Sequence, residues 1–326
     1  MAHLSLPLIK PVVPLAKQLD MRNAGFLVVG RHSAVKACHY TKSSLACKGT
    51  CYKSRFYGIA SHRCVQMSPV LFCNLRCEFC WRDLDVFNQA DWSGPIDDPE
   101  DIINGCIQAQ IHYLQGFGGN PNTPPELFEE MKNPKHFAIS LTGEPTLYPR
   151  LPEMIALLHQ RGISSFLVSN GTLPANLAKL TDSNLTQLYI TVAAPDKETY
   201  MATTNPLMAT SWERLRETLK MLGDFKATTC VRMTLVKGLN MVHPEKYAEL
   251  LRDVEVDFIE AKGYMHVGYS QQRLTRSNMP SHEEILEFSQ EFVKHAGLQV
   301  LDQEPRSRVV LMGKSNKGRF LKDRAH

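Results

Sequence analysis

The sequence predicts an α/β protein, a partial (βα)6 TIM-like barrel with an N-terminal cysteine-rich extension. Short apolar or β-branched runs alternate with helical stretches six times, the pattern of a parallel sheet covered by helices. The turn after the first run lacks the glycine fingerprint of a dinucleotide fold, which favours a barrel. Of nine cysteines, seven fall within residues 38–80, at and before the first strand.

Residues 1–65 are rich in Pro, Ser, Lys and Cys and show no long periodic helix, so they read as an irregular extension. Strands are expected near residues 65–72, 137–141, 166–169, 188–192, 229–236 and 258–261. Helices are expected over residues 98–113, 151–161, 175–181, 212–222 and 244–253. A helix over 282–295 and strands near 298–301 and 308–311 close the domain. The chain thus divides into an extension, 1–65, a barrel, 66–305, and a basic C-terminal segment, 306–326.

The net charge of +4 is unevenly placed: residues 1–65 sum to +9, residues 306–326 to +6, and the middle to −11. Basic ends on an acidic body suit a polyanionic partner such as nucleic acid; solvated basic ends are the plainer reading. No apolar run approaches the roughly 20 residues that cross a bilayer. The first 30 residues, broken by Pro7, Pro11, Pro14, Lys17 and Asp20, hold no secretory signal. A cytoplasmic protein without membrane contact is expected. In that compartment an odd number of clustered cysteines reads as metal or redox chemistry, not disulfides.

Cys73, Cys77 and Cys80 form a C-x3-C-x2-C triplet directly after the first strand. Three close thiolates can hold three irons of a [4Fe–4S] cube and leave the fourth open. An open iron can chelate the amino and carboxylate groups of S-adenosylmethionine, and one electron then releases a 5′-deoxyadenosyl radical. A zinc site is the alternative, but structural zinc usually shows paired C-x2-C units and four ligands. At this point the sequence resembles the radical S-adenosylmethionine superfamily. Gly143 and Glu144, within Thr142-Gly-Glu-Pro-Thr146, follow the second strand, like the Gly-Glu motif that receives the methionine amino group. A glycine there would let backbone approach a ligand closely. Ser169 and Asn170 follow the third strand, where that superfamily contacts methionine and ribose. Thr191 and Arg232, on the fourth and fifth, are further candidates for ribose and carboxylate contacts.

Upstream, Cys38, Cys51 and Cys64 stand 13 residues apart. They could hold a second cluster; a zinc site of Cys47, Cys51, Cys64 and His62 is the rival, and spacing leaves both open. Lys53, two residues after Cys51, is either a Schiff-base nucleophile or a surface or phosphate-binding lysine. Cys106 and Cys230, alone on predicted elements, read as core residues.

The segments Cys51-Tyr-Lys-Ser54, His62-Arg-Cys64, Phe79-Cys-Trp-Arg82, Gly143-Glu-Pro-Thr-Leu-Tyr-Pro149, Ser169-Asn-Gly171 and Tyr264-Met-His-Val-Gly-Tyr-Ser270 together resemble the tRNA 4-demethylwyosine synthase family in its archaeal form, over about residues 30–312. The resemblance implies a lyase that condenses N1-methylguanosine, 3′ of the tRNA(Phe) anticodon, with two carbons of pyruvate to form 4-demethylwyosine, an imidazopurine. It implies two [4Fe–4S] clusters, an auxiliary one on Cys38, Cys51 and Cys64 and a radical-generating one on Cys73, Cys77 and Cys80. Lys53 matches the lysine that condenses with pyruvate. The flavodoxin-like domain of eukaryotic members is not seen, so an external flavodoxin- or ferredoxin-like electron donor is expected, as is a monomer. Basic residues of both ends, with Tyr52, Phe56, Tyr57 and Trp81, are candidates to hold the RNA by phosphate contact and stacking, while Trp81 reads equally as core packing beside the cluster. A radical enzyme acting on another RNA or protein, and a non-enzymatic zinc RNA-binding module, are the competing readings.

Overall fold

The structure, a computed structural model, describes residues 15–323. The first 14 residues of the basic extension and residues 324–326 lie outside the described residues. Helix α1 (Leu15–Asn23) leads into strands β1 (Leu27–Val29) and β2 (Ser33–Val35), then α2 (His39–Leu45) and α3 (Tyr52–Tyr57). Strand β3 (Cys64–Ser68) opens the repeating part, followed by α4 (Pro99–Leu114), α5 (Pro125–Met131), β4 (His136–Ile139), α6 (Leu151–Gln160) and β5 (Ser164–Ser169). Next come α7 (Pro174–Ala178), β6 (Gln187–Thr191), α8 (Lys197–Thr204), α9 (Ser211–Lys220), β7 (Thr228–Leu235), α10 (Pro244–Leu251) and β8 (Phe258–Gly263). Helix α11 (His282–Ala296), β9 (Gln299–Glu304) and β10 (Val309–Gly313) complete the described chain.

All ten strands belong to one sheet, ordered β1-β2-β3-β4-β5-β6-β7-β8-β10-β9. Neighbours from β3 to β8 are parallel. Two antiparallel strands flank them on each side. The six expected strands and the helices between them are present. Helix boundaries follow local chemistry: Asp98 caps α4 ahead of Pro99. Ser281 and Glu284 form a reciprocal capping box on α11, which ends at Gly297 with φ +64°.

The N-terminal part differs from the irregular extension expected. Strands β1 and β2 join the sheet edge beside β3, so the described extension is continuous with the sheet. Three-residue strands are too short for an alternating pattern to register in sequence. Helix α8 is also absent from the expected set; its sequence is largely polar, and Asp196 starts it by accepting from Thr199 N.

The period of two along each strand separates two cores. Val65, Met67, Phe137, Ile139, Leu167, Leu188, Ile190, Val231 and Ile259 pack into the main core with the helices. Phe166, Tyr189, Cys230 and Phe258 build a second core, which includes Tyr52, Phe56 and Tyr57 of α3. Each large apolar side chain so buried contributes about 1.5–3 kcal/mol. This packing corrects the expectation that Tyr52, Phe56 and Tyr57 stack on RNA, because all three are buried. Cys106 and Cys230 are buried as well.

Candidate functional site: two cysteine-lined cavities

The chain leaves β3 through residues 69–72 and enters the thiol loop. Cys73 N donates to Phe87 O at 3.1 Å, and Gln89 N donates to Cys73 O at 3.1 Å. Arg82 crosses beneath the loop, donating to Leu75 O, and to Phe87 O at 2.5 Å. From α8, Thr204 O and Thr203 O accept Arg76 N and Glu78 N at 2.9 and 3.0 Å. Arg273 donates to Cys80 O and, at 3.1 Å, to Glu78 O. The loop backbone is therefore held on several sides.

Cys73, Cys77, Cys80, Gly143, Glu144, Ser169, Asn170 and Thr191 line one cavity of about 210 Å³. The buried Glu144 carboxylate organises it. Oε1 accepts Thr146 N at 3.1 Å, Thr146 Oγ1 at 2.6 Å and Ser169 Oγ at 2.8 Å; Oε2 accepts Asn170 N at 2.7 Å. Burial raises the Glu144 pKa, opposed by these donors. Asn170 Nδ2 donates to Asn74 Oδ1 at 2.8 Å and reaches Cys73 Sγ at 3.7 Å. The glycine of the Gly-Glu turn answers to the protein's own packing: Gly143 has φ +71°, and a Cβ there would lie 2.3 Å from Val70 O.

A second cavity of about 230 Å³ is lined by Cys38, Cys51, Cys64, Lys53, Arg232 and Lys262, among others, and shares Ser140 with the first. Cys51 precedes α3, and Cys64 begins β3. Lys53 is buried on α3, with Nζ 4.6 Å from the Tyr189 ring centroid and 5.1 Å from that of Phe166. Burial first, then the Arg232 charge, lowers its pKa. Lys262 Nζ donates to Ser307 O at 3.1 Å, and burial followed by Arg232 lowers its pKa to about 8. Arg232 belongs to this cavity and lines no wall of the first.

The first thiol loop suits an iron–sulfur cluster. Arg82 Nε is buried without a hydrogen-bond partner among the described residues, an N–H that a cluster sulfur would satisfy. The zinc set is not assembled: Cys47 is exposed at φ +54°, and His62 Nε2 bonds Glu130 at 2.6 Å. Burial raises the Cys51 thiol and pushes Cys64 up to about 12. Metal binding would have to draw off those protons.

Sequence reasoning missed Lys262 and Glu260. The available signal was the charge alternation of Glu260 and Lys262 in an otherwise apolar strand. The pairing of Arg232 with Lys53, 179 positions apart in sequence, had no local signal.

A three-thiol loop after the first of six parallel strands, with a Gly-Glu turn at the end of the next, defines a radical S-adenosylmethionine enzyme; the Radical SAM superfamily model matches residues 126–251. The Wyosine base formation model matches residues 253–314. The S-adenosyl-L-methionine-dependent tRNA 4-demethylwyosine synthase of Pyrococcus abyssi is 46% identical over 313 residues, 92% of each chain. The solved structure of TYW1 with a lysine-pyruvate adduct bound is 34% identical, with a TM-score of 0.85 over 96% of this chain and 100% of that one. The crystal structure of archaeal TYW1 is 31% identical, with a TM-score of 0.78 over 95% and 100%. The chain belongs to the tRNA 4-demethylwyosine synthase family.

Proposed function

We propose that the protein builds 4-demethylwyosine in tRNA(Phe) from N1-methylguanosine, 3′ of the anticodon, and two carbons of pyruvate. The observation that carries this reading is that two cavities share Ser140 as a wall residue, with three thiols lining each and Lys53 lining the second. Six parallel strands closing as a partial (βα)6 barrel would give these cavities a common interior. The assignment of residues 1–65, 66–305 and 306–326 as extension, barrel and basic segment belongs to the same reading.

Cys73, Cys77 and Cys80 would hold one [4Fe–4S] cluster, and Cys38, Cys51 and Cys64 a second. With S-adenosylmethionine bound, the first supplies one-electron chemistry for hydrogen abstraction from the N-methyl group. Gly143, Glu144, Ser169, Asn170 and Thr191 form the wall for that cofactor. Glu144 acts by fixing Ser169 and Asn170, since its carboxylate already accepts four hydrogen bonds. Arg232 stands with Lys262 as a partner for the pyruvate carboxylate, instead of a cofactor contact.

Lys53 would attack the pyruvate ketone as the neutral amine, losing water to form an imine. Its burial and the Arg232 charge both favour the neutral form. The lysine-pyruvate adduct bound in the 34% identical TYW1 structure supports this role. The target base must leave its stack to reach both cavities. Among the described residues no helix is long and apolar enough to cross a membrane. A cytoplasmic monomer served by a flavodoxin- or ferredoxin-like donor completes the reading. The test is anaerobic turnover of N1-methylguanosine-containing tRNA with S-adenosylmethionine and labelled pyruvate. Label in a tricyclic base is the expected result; unlabelled, unmodified tRNA with both clusters loaded would overturn it.

A further inference from the structure

A third cavity, about 510 Å³, adjoins the first at the end of the thiol loop. It shares Trp81, Arg82 and Thr142 with the first cavity and no wall residue with the second. We infer that it holds a second unstacked base of the RNA, a nucleotide flanking the one that reacts. This rests on the proposed tRNA substrate and deepens it.

Several observations support the assignment. The reacting base must serve both the first cavity and Lys53, so it belongs beside Ser140, the wall residue those two share, and the third is left for a neighbour. Its walls are chiefly apolar and aromatic: Phe26 and Trp81 stand 5.6 Å apart between centroids at 38°. The Lys36 ammonium lies 4.6 Å from the Phe26 ring and 5.3 Å from that of Trp81. Rings beside a cation make a platform for any base, since every base has a π-face.

One wall, Val267–Tyr269, comes from the segment matched by the Wyosine base formation model, which ties the cavity to this family's own substrate. That wall is locked to the thiol loop: Tyr269 N donates to Trp81 O at 3.0 Å. A Cβ at Gly268 would come 2.5 Å from the same oxygen. Val267 is 46% exposed, as a residue at an open mouth would be. In the same wall Lys17 Nζ pairs with Asp83 at 2.8 Å and lies 3.8 Å from Asp20, partners it would exchange for a phosphate.

The experiment uses reconstituted holoenzyme and an anticodon stem-loop carrying N1-methylguanosine, with 2-aminopurine placed on its 5′ or its 3′ side. Wild type should change the 2-aminopurine fluorescence at one of these positions. Phe26→Ala should abolish that change and weaken stem-loop binding about tenfold, the size expected for one lost stacking partner. Val267→Asp, at an exposed position that threatens no core, should weaken binding similarly at matched iron content. Unchanged fluorescence at both positions in wild type, or wild-type affinity in both variants, would overturn the inference. Failure to modify the stem-loop at all would instead count against the proposed reaction, whatever the fluorescence shows.

Discussion

Arg232 grips Glu260 through Nε at 3.1 Å and Nη2 at 2.9 Å, at the wall of the cavity that holds Lys53. Tyr52 and Tyr57 also donate to this carboxylate, at 3.2 and 2.6 Å. Glu260 is thus the anion that keeps a buried guanidinium in place beside the lysine. Glu260→Gln leaves that cation without its charge partner, and about 3–5 kcal/mol of stability should be lost. Denaturant titration of the holoenzyme checks this; a loss within about 0.5 kcal/mol, the range of an ordinary surface change, would contradict it.

Lys53→Arg keeps the positive charge but removes an amine able to condense. The variant should retain the iron content and tRNA affinity of wild type and form no tricyclic base. Borohydride with labelled pyruvate should mark wild type at Lys53 and leave Lys53→Arg unlabelled. Product at near-wild-type rate in that variant would move pyruvate activation elsewhere in the cavity.

Replacing Cys73, Cys77 and Cys80 together by Ala should leave about four of eight irons and abolish cleavage of S-adenosylmethionine. Replacing Cys38, Cys51 and Cys64 should also leave about four irons but preserve RNA-independent cleavage. Iron analysis with cleavage assays separates the two sites. Equal loss of cleavage in both variants would refute the division of labour.

His136 is buried, with Nε2 accepting Ala60 N at 3.0 Å and Nδ1 bonded to Ser164 Oγ at 2.7 Å. Burial first, then Arg63, lowers its pKa from 6.5 to about 4. The unfolded chain therefore binds a proton that the folded protein refuses, and stability falls as pH drops from 6.5 towards 4. His136 should contribute up to about 1.4 kcal/mol per pH unit to that slope, and His136→Gln should lower the slope by about this amount, by denaturant titration at each pH.

Lys314 and Lys317 line a groove with Thr229 and Asp257, at the N-terminal ends of β7 and β8. Arg232 and Lys262, which line the second cysteine cavity, lie further along the same two strands. Arg319 of the same tail is buried and bonded to Phe56 O at 2.7 Å, so it serves the fold. Reversing Lys314 and Lys317 to Glu should leave tRNA affinity and its salt dependence unchanged. Arg276→Ala, at an exposed position in the loops after β8, should lower the salt slope by about 0.7–0.9, one phosphate contact. A weakened complex in the first variant would restore the tail as an RNA contact.

Sequence alone determined the elements whose signal is local. The six strand–helix units were legible because burying one face imposes a period of two or 3.6 on nearby residues. The Cys73-Cys77-Cys80 loop was legible because its three thiols lie within one turn of chain. Only the tertiary structure decided which distant residues meet. It put Cys38, Cys51 and Cys64 on one cavity while turning the intervening Cys47 outward. It placed Arg232 with Lys53 instead of with the first thiol loop, and took Tyr52, Phe56 and Tyr57 into a core. These outcomes depend on sheet register and on the packing of α3, which are settled by burying apolar surface between segments far apart in sequence. No window of the chain read by itself contains both partners of such a contact.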